Sequence, residues 1–137
     1  MSLSDAIDYK PVRQTYAIRI HSARFDVDEP LEPSSLYTIK EYIFDDRTPQ
    51  LGEGKLFDTM LAKKIIYDFK EQQERQKTLL VHCSRGLNRA PAIAIALNDI
   101  FQLGQDSEVL KQKFPETNWY IYDLMKEVGD SIVGKLP

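Results

Sequence analysis

Residues 78–97 read TLLVHCSRGLNRAPAIAIAL, and this stretch decides the fold. Thr78 to Val81 is a short apolar run of strand length that leads into His82, Cys83 and then Gly86. After Arg89 the pattern turns helical through Ala92 to Phe101, until Gly104 stops it. The order is therefore strand, tight loop, helix.

The segments on either side repeat this alternation. Tyr16 to His21 (YAIRIH) sets Tyr16, Ile18 and Ile20 against Ala17, Arg19 and His21, the period-two pattern of a strand. Leu36 to Phe44 (LYTIKEYIF) is rich in aromatic and β-branched residues and stops at Asp45-Asp46, so it reads as a second strand running into a loop. From Leu56 to about Gln76, Phe57, Met60, Leu61, Ile65, Ile66 and Phe69 recur at helical spacing. Lys63, Lys64, Lys70, Glu71 and Glu74 occupy the other side of that helix. Asp106 or Ser107 caps a short helix to Lys113, and Thr117 or Asn118 caps a last one through about Ser131. Trp119, Ile121 or Tyr122, and Met125 are expected to face inward from that last helix. Strands alternating with helices predict an α/β fold with a mostly parallel sheet.

The whole chain, 137 residues, is the size of one domain. Its 18 basic and 21 acidic residues leave a net charge of −3, so no global positive field exists to hold nucleic acid. An anionic ligand must be captured locally. The apolar run from Ala90 to Leu97 is too short for a membrane span and contains Pro91, so no membrane association is expected. The first residues, MSLSDAIDYK, lack the basic start and apolar stretch of a secretory signal, and a cytoplasmic location is expected. Cys83 is the single cysteine, which excludes an intramolecular disulfide and leaves inert core or a reactive thiol.

The neighbours of Cys83 favour the thiol. If residues 84–89 curl around one point, their backbone N–H groups converge at a helix N-terminus, where unpaired donors and the helix dipole favour a dianion such as phosphate. Gly86 permits the bend. The same positive environment favours a thiolate, placing a nucleophile at the floor of an anion cradle. Arg89, one turn into the helix, can close the ring with a planar fork that grips two phosphoryl oxygens.

The run His82-Cys83-Ser84-Arg85-Gly86-Leu87-Asn88-Arg89 resembles the HCxxGxxR signature of the cysteine-dependent protein tyrosine phosphatase superfamily, and the short chain looks most like its compact dual-specificity branch. The resemblance implies a three-layer phosphatase-like fold and a phosphocysteine intermediate on Cys83. Residues 84–89 would form the phosphate cradle, with no metal or organic cofactor. It also implies an acid some tens of residues upstream. The stretch Ile43-Phe44-Asp45-Asp46-Arg47-Thr48-Pro49 is similar to the Phe-x-Asp segment with a nearby Pro in small bacterial members, which favours Asp46 as general acid and base, with Asp45 as the substitute. His82 takes a supporting role, pointing away from the pocket and holding the loop. The expected partner is a phosphorylated protein or a small phosphoester, with phosphotyrosine first and phosphoserine or phosphothreonine admitted by a shallow pocket. The resemblance sets no oligomeric state.

Three features depart from that pattern or extend it. After the signature Arg most members carry Ser or Thr, whose hydroxyl stabilises the departing thiolate. Here the residue is Ala90, which predicts slow phosphoenzyme hydrolysis unless Asn88 or Ser84 substitutes. Arg85 adds a cation, available to a second phosphate or simply solvated at the rim. Gly86-Leu87-Asn88-Arg89 also looks like the Gly-x-Asn-Arg of RNA 5′-triphosphatases in the same superfamily, so such an enzyme is the alternative activity. A pseudophosphatase that only binds phosphate is the non-catalytic alternative. Downstream, Phe114-Pro115-Glu116-Thr117-Asn118 is similar to a Pro-Asn segment that starts the last helix of the bacterial relatives.

Overall fold

The computed structural model describes residues 6, 9–23, 30–84 and 86–133. Three strands, β1 (Thr15–His21), β2 (Tyr37–Ile43) and β3 (Thr78–His82), form one sheet in the order β2-β1-β3. Both pairings are parallel, with Ala17 beside Leu80 and Arg19 between Glu41 and His82. Helix α1 (Thr59–Gln72) connects β2 to β3, and α2 (Arg89–Phe101), α3 (Ser107–Lys113) and α4 (Trp119–Val133) follow β3. Parallel strands need such crossovers, which is why the strand–helix alternation of the sequence translates directly into this α/β architecture.

The central place of β1 accounts for a pattern that alternation alone leaves out. Thr15 to Ile20 are all buried, the nominally polar Arg19 included. Tyr16, Ile18 and Ile20 face the main core, where they meet Ile65, Ile66 and Phe69 of α1, Ile93 and Leu97 of α2, and Ile121 and Met125 of α4. Ala17 and Leu80 face the other side of the sheet and pack with Ala6 and Leu31. A strand covered on both faces has no solvent side, whatever its hydropathy pattern suggests. Each fully buried Ile or Met in the main core contributes about 1.5–3 kcal/mol relative to its exposed state.

The helices start where the sequence places their caps. The Asp58 side chain accepts the Leu61 N–H at 2.8 Å and opens α1, and Asp106 accepts the Glu108 and Val109 N–H groups at the start of α3. Asn118 accepts the Ile121 N–H at 3.1 Å at the start of α4. Helix α2 ends at Phe101, where the sequence pattern places its last residue, and the chain turns left-handed at Gln102 and again takes a positive φ at Gly104. Two apolar residues expected inside are outside. Met60 is 79% exposed in the first turn of α1, and Trp119 is 37% exposed at the start of α4, its ring edge-on to Tyr122 at 5.5 Å. Both sit at helix ends, where the apolar stripe has passed the edge of the core. No helix among the described residues is long and apolar enough to cross a membrane.

Helices α2 and α4 approach closely at Gly129, where an added Cβ would lie 2.5 Å from Ile100 Cδ1. Gly129→Leu is therefore expected to wedge the two helices apart and destabilise the protein by about 1–3 kcal/mol, read as a lower urea midpoint.

Candidate functional site

Strand β3 ends at His82, and α2 begins at Arg89, so the chain must reverse within six residues. Gly86 carries the bend with φ +75°, a conformation that a side chain disfavours. Asn88, the residue before α2, makes no side-chain cap, because its amide donates instead to the Glu116 carbonyl at 2.7 Å. The first N–H groups of the helix are thus left for other acceptors. Ala90 N–H points at Cys83 Sγ at 3.4 Å. A sulfur receiving a first-turn N–H at a helix N-terminus stands in the field that stabilises negative charge.

Cys83 is 2% exposed and Arg89 6% exposed. The Arg89 guanidinium donates from Nη2 to Ser84 Oγ at 3.3 Å, and from Nη1 to the Phe44 carbonyl at 2.9 Å and to Ser22 Oγ at 3.0 Å. It therefore ties the loop to the C-terminal ends of β2 and β1. Parallel α/β folds build sites at these ends, where loops from several strands meet. Gly86 is buried, Leu87 and Asn88 are half-buried and Ser84 is exposed. Arg85, the other predicted cradle residue, lies outside the described residues.

The adjacent aspartates divide in environment. Asp45 is 9% exposed and accepts from Lys55 N–H at 2.6 Å and Ala23 N–H at 3.3 Å, while its own N–H donates to the Lys55 carbonyl at 2.8 Å. These bonds close the loop between residues 45 and 55. Gly54, at φ +93°, passes so close that a Cβ there would overlap the Asp45 carboxylate. Asp46 is exposed, and Asn118 Nδ2 donates to its Oδ1 at 2.8 Å. The same amide donates to the Arg47 carbonyl at 3.2 Å, and the Asn118 backbone N–H donates to the Asn88 carbonyl at 3.0 Å. Asn118 thus joins the loop of Asp46, the cradle and the start of α4. The sequence offered Asn118 only as a helix cap, and its bridge to Asp46 spans 72 positions.

His82 is 1% exposed, and adjacent residues of a strand point to opposite faces, so its ring lies on the face of the sheet away from Cys83 Sγ. Its Nε2 accepts from Arg19 Nε at 3.0 Å. Burial first, and the Arg19 charge second, lower its pKa from the usual 6.5 to about 4, while the Cys83 backbone pulls in the opposite direction. The imidazole is neutral at physiological pH. Ser22 and Arg19 were not singled out in the sequence, since their roles appear only when β1 is set between β2 and β3.

A separate cavity, lined by Tyr16, Phe69, Gln76 and Leu79 among others, opens toward the N-terminal end of β3. It contains none of the residues singled out by the motif, which lie at the other end of the strand.

No family model matches the sequence, and no curated protein does. Solved structures do match in fold. The chain is similar to Tk-PTP in its active form, with a TM-score of 0.55 and 15% identity over 83% of this chain and 78% of that one. It is also similar to PTPMT1 in complex with PI(5)P, with a TM-score of 0.58 and 11% identity over 88% of this chain and 80% of that one. The short parallel sheet and its helices are those of a protein tyrosine phosphatase-like fold.

Proposed function

We propose that this chain is a phosphatase of the dual-specificity type, hydrolysing phosphotyrosine and related phosphomonoesters through a phosphocysteine on Cys83. The observation that carries this reading is the Cys83 sulfur set against the Ala90 N–H, with the Arg89 guanidinium closing the same loop through Ser84. Binding a phosphate requires donors alone, and a buried thiol facing a helix N-terminus adds nothing to a binding module. This argues for catalysis over the pseudophosphatase.

In the proposed reaction the Cys83 thiolate attacks phosphorus in line with the ester oxygen, and the S–P bond forms as the P–O bond breaks. The cradle N–H groups and Arg89 stabilise the charge on the equatorial oxygens. Asp46 gives its proton to the leaving oxygen, then takes one from the water that cleaves the S–P bond and returns the thiolate. Asn118 holds one Asp46 oxygen by a hydrogen bond and leaves the other to carry the proton. Asp45, fully engaged by backbone donors, serves the loop.

In the second step the thiolate leaves, and its donor is the Ala90 backbone N–H. Neither substitute that the sequence suggested is turned to this task. Asn88 donates to Glu116, and Ser84 accepts from Arg89. The asparagine of Gly-x-Asn-Arg ties the loop to the segment before α4, a bond compatible with either activity, and the net charge of −3 weighs against the alternative of an RNA 5′-triphosphatase. The exposed Trp119, next to the residue that holds Asp46, is suited to an aromatic leaving group at the rim.

Hydrolysis of p-nitrophenyl phosphate and of a phosphotyrosine peptide tests the reading. Cys83→Ser is expected to abolish activity while retaining phosphate binding, and Asp46→Asn to lower kcat by about 10²–10⁴-fold and remove the alkaline limb of the pH profile. A folded wild type with no activity on either substrate refutes it. Asp45→Ala is expected to act differently, lowering stability by about 1 kcal/mol in urea as two part-buried backbone donors lose their acceptor, whereas Asp46→Ala leaves the urea midpoint unchanged. A rapid-mixing experiment is expected to show a burst of p-nitrophenol followed by slow turnover. Ala90→Ser is expected to raise the steady rate several-fold and shrink the burst, because a side-chain hydroxyl then shares the thiolate charge.

A further inference from the structure

One row of polar side chains crosses the sheet on the face opposite Cys83 Sγ. In register across β2, β1 and β3 stand Glu41, Arg19 and His82. Two residues earlier in β1 and β3, Ala17 and Leu80 keep the same face apolar, so the polar row is confined to the strand ends beside the cradle. Burying a guanidinium costs several kcal/mol unless its donors are used. Arg19, 4% exposed, directs Nε to His82 Nε2 at 3.0 Å and Nη1 to Glu41 Oε1 at 3.4 Å. Glu41 has a half-exposed side chain and also meets His21 Nε2 at 3.1 Å.

The chemistry of this row is directional. A guanidinium only donates, so His82 Nε2 must be the accepting nitrogen and the ring proton must sit on Nδ1. His82 Nδ1 is buried without a hydrogen-bond partner, and the ring belongs to the residue directly before Cys83 in the chain. We infer that Arg19 is a positioning residue for the proposed nucleophile, clamping His82, the residue that precedes Cys83 in the chain, in one ring orientation and in the Nδ1–H form, with Glu41 anchoring the clamp. The inference rests on the reading of Cys83 as the nucleophile. Arg19 touches neither substrate nor sulfur and acts only through His82. Among the described residues, the groups acting electrostatically on that ring are Arg19 and, more weakly, His21, both from β1.

Imidazole nitrogen NMR reads the clamp directly, since the chain has only two histidines and a His21→Gln variant assigns them. Wild-type His82 is expected to show the Nδ1–H tautomer and to titrate only near pH 4. An Nε2–H tautomer in the wild type overturns the proposal without any variant at Arg19. In Arg19→Leu the tautomers are expected to mix and the titration to move upward, with kcat down about 10- to 100-fold and KM nearly unchanged. Arg19→Lys, which keeps a donor and a charge, is expected to restore the tautomer and most of the rate. A folded Arg19→Leu with wild-type tautomer, or with shifted tautomer and wild-type kcat, also overturns it. If the wild type shows the clamp but hydrolyses no phosphoester, the function proposed above fails. The clamp is then read through iodoacetamide alkylation of Cys83, whose rate-against-pH profile is expected to shift in Arg19→Leu and to return in Arg19→Lys. An unchanged profile in Arg19→Leu counts against the clamp.

Discussion

The turn from β3 into α2 places a sulfur against the free N–H groups of a helix start, and the rest of the site is arranged around that constraint. It requires a strand that ends at full burial, a residue able to take φ +75° at position 86, and a helix whose first turn is not capped by its own sequence. Each requirement is met by a different kind of residue: an apolar run, a glycine, and an asparagine whose amide is engaged elsewhere. Had Asn88 capped α2 in the ordinary way, its side chain would compete for the donors that now face the loop.

The loop is held from three directions. Arg89 binds it to the ends of β1 and β2 through Ser22 and Phe44, Asn88 and Asn118 bind it to α4, and the Ala90 N–H binds its sulfur. Asn118 extends the same framework to Asp46. The result is that the residues with proposed chemical roles come from three separate segments, the 83–90 turn, the loop of Asp46 and the start of α4. Preorganisation of this kind matters most where charge develops during a reaction, because donors already in place need no reorganisation.

Much of this was legible in the sequence. The 78–97 stretch announced strand, loop and helix through its change of period, with TLLV as a short apolar run, while YAIRIH was readable from its alternation and LYTIKEYIF from its β-branched and aromatic residues. What could not be read was topology. Nothing local in YAIRIH says that Arg19 is buried, since its burial follows from β1 lying between two other strands. Likewise Asn118 has the appearance of a cap, and its second task depends on a loop 72 positions away. Met60 and Trp119 fit the helical stripe and still lie outside it, because a stripe says which way a residue points but not where the core ends.

The Asp45-Asp46 pair shows how neighbours with the same chemistry acquire different work. On an extended chain consecutive side chains point to opposite sides, so only one of two adjacent carboxylates can turn back into the loop that follows. Asp45 does so, and the N–H groups of Lys55 and Ala23 meet it. Those bonds fix the backbone from which Asp46 projects, and Asn118 then sets its orientation from the other side. The Asp45 carboxylate is committed to the backbone donors that close the loop. Asp46 is exposed and meets the Asn118 amide at one oxygen. The buried aspartate and the exposed one are thus parts of one device, the first supplying rigidity and the second the chemistry proposed for it.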